Sequence, residues 1–422
     1  MTGHAGNPTR PAPPRAYRWL VLMFISMSMM ANYYVFDALN PVGPFLEQQL
    51  GFTQAQIGLL DTAYNIAALL VLLAGGVIID RTGTKRALIG FGVVAAFGGL
   101  LIAWSLGGYR GMVAGRFVLG LGSEPLIVAI TTALAKWFKA KELAFAMGLN
   151  LTLGRLGSVA ADNSRNWAGA LFTGWQPPLL LAAGIGAICI VAGVIYATLE
   201  RHAENTYELG RAGQTDKLVF SDLLRFGRGY WWVVGLCVTF YSAIFPFRRF
   251  ANIFFTDARG VSPEMAAWLN GLLPLTAMFA TPLFGLLADR VGKRALLMAV
   301  GSALFMPTFF LLAHTSLPVY LPVAMLGVAF SLIPAVMWPS VAYLVDETRL
   351  GTAYALMTLC QQVGWAVMSW ALGTLNDAAG ASAQNPAGYQ AGMWLLSALS
   401  VLGLFFSYML WRHEQTSTPH PA

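Results

Sequence analysis

Runs of about twenty mostly apolar residues recur roughly twelve times along this chain, and a run of that length spans the hydrocarbon of a bilayer as a helix. They centre near Met27, Ala67, Ala95, Val128, Leu153, Ile188, Val238, Leu275, Ala303, Met325, Val367 and Ser400. In lipid every backbone N–H and C=O must bond internally, which leaves helices or a closed barrel. The runs are too long for barrel strands and do not alternate with period two. The pattern therefore predicts an all-α membrane protein with twelve transmembrane helices. Composition agrees: only 11% of residues are charged, too few to coat a soluble domain, which carries about 25%. The partner implied is a lipid bilayer.

Charge placement sets the orientation. Arg81, Lys85 and Arg86, then Lys136, Lys139 and Lys141, then Arg201, Arg211, Lys217, Arg225 and Arg228, then Arg290, Lys293 and Arg294 fill every second join, whereas Ala31 to Asp80 has no Lys or Arg. By the positive-inside rule both termini and the long middle join are cytoplasmic. The formal charge of +7 thus reflects topology and does not point to nucleic acid. Met1 to Arg15 is polar and proline-rich, and the apolar run after it is too long for a signal peptide. Cys189, Cys237 and Cys360 all lie within apolar runs. They predict neither a disulfide framework nor a metal centre.

The chain repeats itself. "GVIIDRTGTKRAL" (Gly76 to Leu88) and "GLLADRVGKRAL" (Gly285 to Leu296) each close an even-numbered span and enter a basic join, and Asp80 and Asp289 are 209 residues apart. Internal repeats of this kind mark secondary transporters. The boundaries expected are a cytoplasmic tail over 1–16, a six-helix bundle over 17–200, a cytoplasmic loop over 201–229, a second bundle over 230–412 and a tail over 413–422. A short interfacial helix is expected around Phe220 to Phe226. In the repeat, Gly76 and Gly285 would let helices approach closely, and Gly83 and Gly292 suit a turn with positive φ. Asp80 and Asp289 would meet a helix N-terminus of the opposite half. Arg81, Arg86, Arg290 and Arg294 would add charge-assisted bonds. Such contacts would lock one face shut; the plainer reading is a basic loop that only sets topology.

Both copies resemble the cytoplasmic loop motif of the major facilitator superfamily, the first with one extra residue, Thr84. The resemblance implies two pseudo-symmetric six-helix bundles, the major facilitator fold, around a central cavity, working by alternating access and without enzymatic activity or cofactor.

Two charges sit in mid-span. Glu124, in "RFVLGLGSEP" of the fourth span, is roughly 18 Å from Lys136 along the helix; Arg155, in "LNLTLGRLGS" of the fifth, is roughly 21 Å from Lys141. Arg116, Gly120 and Glu124 share a helix face. A charge at mid-membrane is costly and marks a function by default. An acid and a base at one depth have two readings. One is a static ion pair of small net worth. The other is a site for a zwitterion, with the carboxylate taking an ammonium and the guanidinium fork taking a carboxylate.

Spans four and five, together with "NYYVFD", "YSAIFPF", "NIFFTDARGVS" and "MWPSVAYLVDETRLGTAYALM", are similar to the lysosomal dipeptide transporter branch of that superfamily. The resemblance implies a dipeptide substrate whose ends are held by Glu124 and Arg155. Arg248 and Arg249, in "FPFRRF", depart from it. Long side chains near a span end can snorkel to water; otherwise Arg248 adds positive potential to an outer vestibule. Tyr33, Tyr34 and Asp37 in the first span, with Tyr241, Trp338 and Gln361, are further candidates beside the substrate, although tyrosines and tryptophans also serve packing and interface belts. Gln361 could equally bond a neighbouring helix.

No nucleotide-binding P-loop occurs in the sequence. The five histidines lie in termini, joins or span ends, so a mid-membrane histidine relay is not available. If protons are the coupling ion, Glu124 is their carrier. A membrane receptor or enzyme is the outside alternative, and an organic-anion or amino-compound transporter the nearer one. The reading places a monomer in the plasma membrane, or in a lysosomal membrane if the chain is eukaryotic.

Overall fold

The computed structural model describes residues 11–138, 140–209, 226–346 and 349–417. Phe220 to Arg225 of the expected interfacial helix lie outside the described residues. The first half contains α1 (Arg15–Asp37), α2 (Gly43–Leu50), α3 (Gln54–Ala103), α4 (Tyr109–Trp137), α5 (Ala140–Asp162), α6 (Ser164–Trp167) and α7 (Gln176–Thr206). The second contains α8 (Arg228–Arg259), α9 (Pro263–Val291), α10 (Arg294–Phe305), α11 (Thr308–His314), α12 (Tyr320–Leu344), α13 (Leu350–Ala378) and α14 (Tyr389–Ser417). Among the described residues, ten stretches are long and apolar enough to cross a membrane. The helices α5 and α13, of 23 and 29 residues, are also of bilayer length. They are less apolar because they carry Asn150, Arg155 and Asp162, and Gln361, Gln362, Asn376 and Asp377.

Local chemistry sets several helix ends. Thr53 caps α3 in a reciprocal capping box with Gln56, which satisfies two otherwise unpaired N–H groups. Gly83 interrupts α3 with φ 76° and ψ 164°, so this one run supplies two spans. Gly292 ends α9 at φ 70°, a value that side chains with a β-carbon resist. Leu70, Phe97, Phe279, Leu283 and Val401 are each more than half exposed, as side chains facing hydrocarbon are.

The halves meet where α3 packs on α13, α5 on α9 and α2 on α8. Contact at the outer end is backbone to backbone. A β-carbon at Gly58 would fall 2.1 Å from the Ser369 carbonyl oxygen, and one at Gly373 2.2 Å from that of Gln54. Asp377 on α13 accepts from the backbone N–H groups of Gln54 (2.8 Å) and Ala55 (2.7 Å), so a carboxylate of the second half caps a helix of the first. Gly58→Leu is therefore expected to hold the outer side apart and slow substrate exchange about tenfold or more, since overpacking costs roughly 1–3 kcal/mol. Near wild-type exchange in proteoliposomes would show that these backbones need not touch.

Candidate substrate site and outer gate

Pro125 follows Glu124 inside α4; lacking an N–H, it leaves a carbonyl one turn earlier without its helical donor. Glu124 itself is half-buried. It accepts a hydrogen bond from the Tyr64 hydroxyl at 2.9 Å, and the side chain of Gln362, on α13 of the other half, also bonds it. Tyr64 is held against Phe36, with ring centroids 4.7 Å apart. Trp365 closes this end of the site, stacked on Phe245 at 4.2 Å.

Arg155 is likewise half-buried. Its Nη1 donates to the Ala277 carbonyl and, at 2.7 Å, to the Thr281 hydroxyl, both on α9. These contacts use one nitrogen of a group with five N–H donors. The two mid-span charges are thus not partners of each other: each reaches across to the second half by its own route. Tyr33 lies within the electrostatic reach of both. Tyr241, whose hydroxyl accepts from Trp338 Nε1 at 3.0 Å, lies within reach of Arg155 and Tyr33.

Toward the outer end lies a buried charge cluster. Arg249 Nε donates to both oxygens of Asp61 at 3.0 Å, its Nη2 to Oδ1 at 2.6 Å, and its Nη1 to Asn40 Oδ1 at 2.7 Å. Arg116 Nη2 reaches the same Asp61 Oδ1 at 2.7 Å, and its Nη1 donates to the Phe36 carbonyl. The Phe36 ring lies under both guanidiniums, at 4.6 Å and 5.7 Å, a favourable cation–π arrangement. Arg248 Nη2 is 2.6 Å from Asp162 and 3.4 Å from Asp37. Asn40 Nδ2 joins the two groups, donating to Asp37 at 3.2 Å and to Asp162 at 2.8 Å. Three arginines thus meet three aspartates, and Arg248 and Arg249 come from the second half while the rest come from the first.

The profile of the Major Facilitator Superfamily matches residues 22–251 and 248–422, which together take in both halves. The chain belongs to the major facilitator superfamily. Curated relatives of this transporter include the lysosomal dipeptide transporter MFSD1 of Danio rerio, 30% identical over 86% of this chain and 82% of the relative. That of Homo sapiens is 31% identical over 86% and 81%. Among solved structures, a point mutant of the nucleoside transporter NupG superposes with a TM-score of 0.75 at 13% identity, over 92% of this chain and 99% of that one; at that identity the likeness concerns the fold. The protein is a multi-pass membrane transporter of the superfamily, not an enzyme.

Within this superfamily member, the structure places Glu124, Arg155, Tyr33, Tyr241 and Trp338 around one region between the halves. Packing distinguishes three of these readings. Arg248 and Arg249 do not snorkel: they are 4% and 2% exposed, because carboxylates of the first half compensate them, and Arg248 is committed to Asp162 and Asp37. Tyr34 turns into the first half, packed with Ala38, Ala161 and Ala182. Gln361 accepts from the Cys237 thiol at 3.6 Å, and its neighbour Gln362 serves Glu124 instead.

The second copy of the repeated motif makes local contacts. Asp289 is 69% exposed and pairs with Arg294 at 2.8 Å in its own half, where Arg294 covers the Tyr343 ring at 4.3 Å. The expected seat for Asp289 on a helix of the opposite half is therefore not taken up. A β-carbon at Gly285 would meet open space, so the close helix contact expected there is not made either. Asp80, Arg81, Arg86 and Arg290 are exposed. The halves are thus in backbone contact at the Gly58 and Gly373 end, while Asp289 and Gly285 of the second motif copy make no such contact at the other.

Residues missed from the sequence are Asp61, Asp162, Asn40, Tyr64 and Gln362. Asp61 and Asp162 carried a readable signal, since each is an acid at the outer end of a span with an arginine at matching depth in another span.

Proposed function

We propose that this transporter carries dipeptides, bound as zwitterions between Glu124 and Arg155, by alternating access. The observation that supports this most is that the two charges are half-buried, unpaired with each other, and held only by groups a peptide can replace. The substrate ammonium takes the place of Tyr64 and Gln362 at Glu124; the substrate carboxylate takes the Arg155 fork from Ala277 and Thr281. Tyr33, Tyr241 and Trp338 flank the peptide backbone. Side chains of varied size are tolerated because the recognition is at the two ends. The curated relatives named dipeptide transporters are consistent with this cargo.

In the outward-open state Gly76, Asp80, Arg81, Gly83 and Arg86, with Asp289, Arg290, Gly292 and Arg294, would lock the cytoplasmic side. The protein would act as a monomer in the plasma membrane with both termini in the cytoplasm, as a uniporter or with protons as the coupling ion.

Counterflow of labelled dipeptide in proteoliposomes tests the site. Saturable exchange is expected for the wild type and its loss in Glu124→Gln and Arg155→Lys, since lysine keeps the charge but not the planar fork. Full exchange in both variants sinks the zwitterion reading. A proton ionophore separates the modes: uniport flux is unaffected, coupled flux falls.

A further inference from the structure

We propose that the outer-side aspartate pair, Asp37 and Asp162, is a proton-binding site filled from the outer water when the outer side opens. The inference comes from counting charge by half and does not depend on which solute is carried.

In the closed state the buried cluster is neutral, with three guanidiniums against three carboxylates. Opening moves α8 away and takes Arg248 and Arg249 with it. Asp61 keeps a partner of its own half, because Arg116 bonds it at 2.7 Å. Asp37 and Asp162 keep no cation among the described residues: what remains to both is the single amide nitrogen of Asn40. Asn270, which also donates to Asp162 at 3.4 Å, belongs to α9 and departs as well. Two carboxylates that share one amide nitrogen cannot both stay ionised cheaply once their cation has gone. One proton from the outer water relieves the pair. When Arg248 docks again it displaces that proton to the same water, so the proton gates the outer side without becoming cargo.

The other groups around the pair do not supply the missing charge. Arg116 is bound to Asp61; Arg165, on α6, loses Glu264 when α9 departs but stays over the Phe45 and Phe172 rings of its own half, at 5.4 Å and 5.6 Å. Arg155 lies two turns further down α5, roughly 10 Å along the helix from Asp162. Tyr33 and Tyr34, about one turn before Asp37 on α1, are the nearby phenols.

A second group titrates in the opposite sense. Glu47, on α2, lies near Asp257 and Asp377 of the other half. Burial pushes its carboxyl from 4.5 up to about 8; the Asp257 and Asp377 charges add to the rise, and a hydrogen bond from Gln54 opposes it. An acid whose pKa is raised in the closed state weakens closure as it ionises. That penalty is absent below about 4.5 and complete above about 8. Glu47 thus favours opening at high pH and the aspartate pair favours it at low pH, so Glu47→Gln removes the competing response.

The test measures distances between spin labels on Thr173 and Gln384, exposed outer-side residues of the two halves, in full-length protein in lipid with native cysteines replaced and Glu47→Gln present. No peptide is added, so failure here is distinct from failure of the dipeptide reading. The long-distance, open population is expected to grow as pH falls from 8 to 5, its ratio to the closed population rising about tenfold for each pKa unit separating the two states. Adding Asp162→Asn, or separately Asp37→Asn, is expected to leave a larger open population that no longer responds to pH. A distribution identical at pH 5 and 8 overturns the proposal. So does a full pH response in both asparagine variants, or opening driven by sodium at constant pH 8.

Discussion

Asp61→Asn and Arg249→Gln are expected to break the same ion cluster with opposite consequences. Asp61 holds Arg116 within the first half and Arg249 across to the second. Its loss strands two buried guanidiniums, and Arg116 stays buried in every state because both its anchors, Asp61 and the Phe36 carbonyl, belong to its own half. Removing one partner of a buried pair costs about 3–5 kcal/mol, so Asp61→Asn is expected to lower the yield of folded protein and its melting temperature. Arg249→Gln leaves the Asp61–Arg116 pair intact. It should melt near the wild type yet exchange substrate about tenfold more slowly or worse, since only the outer-closed state has lost its bonds. Thermal melts paired with counterflow decide the matter. Equal loss of melting temperature in both variants would mean that Arg249 supports the fold itself and not one state of the gate.

Blocking either end of a dipeptide is the second large effect expected. An N-acetyl dipeptide has no ammonium for Glu124, and a C-terminal amide has no carboxylate for Arg155. Each should compete with labelled dipeptide about a hundredfold less well, because a buried charge left facing a neutral group costs several kcal/mol. The variants sharpen the assignment. Glu124→Gln should no longer distinguish free from acetylated peptide, and Arg155→Lys should lose most of its preference for the free carboxylate. If Glu124→Gln still discriminates against the acetylated peptide, the ammonium is read elsewhere.

Much of the architecture was legible in the residues because its causes are local or periodic. Apolar runs of bilayer length become helices wherever lipid offers the backbone no partner. The duplicated motif announced two halves, and Gly83 and Gly292 take the positive φ that such a turn needs. Glu124 and Arg155 stood out because a charge in mid-span is expensive anywhere.

Which face each helix turns to which neighbour was another matter. Gln361 and Gln362 differ by one position, about 100° around a helix, and sequence alone ranks them equally. Packing of α13 against α8 aims the first at Cys237 and the second at Glu124. The same holds for Tyr33 and Tyr34, of which one faces the site and the other the interior of its own bundle. Arg248 and Arg249 looked like side chains bound for water because their partners, Asp162 and Asp61, are 86 and 188 residues away in the chain. The sequence by itself determined the helical membrane architecture, the duplication and the two mid-span charges, since each follows from the free energy of one segment in lipid. Only the tertiary structure decided which charges meet, because ion pairing between halves depends on helix rotation and on how far the halves have closed.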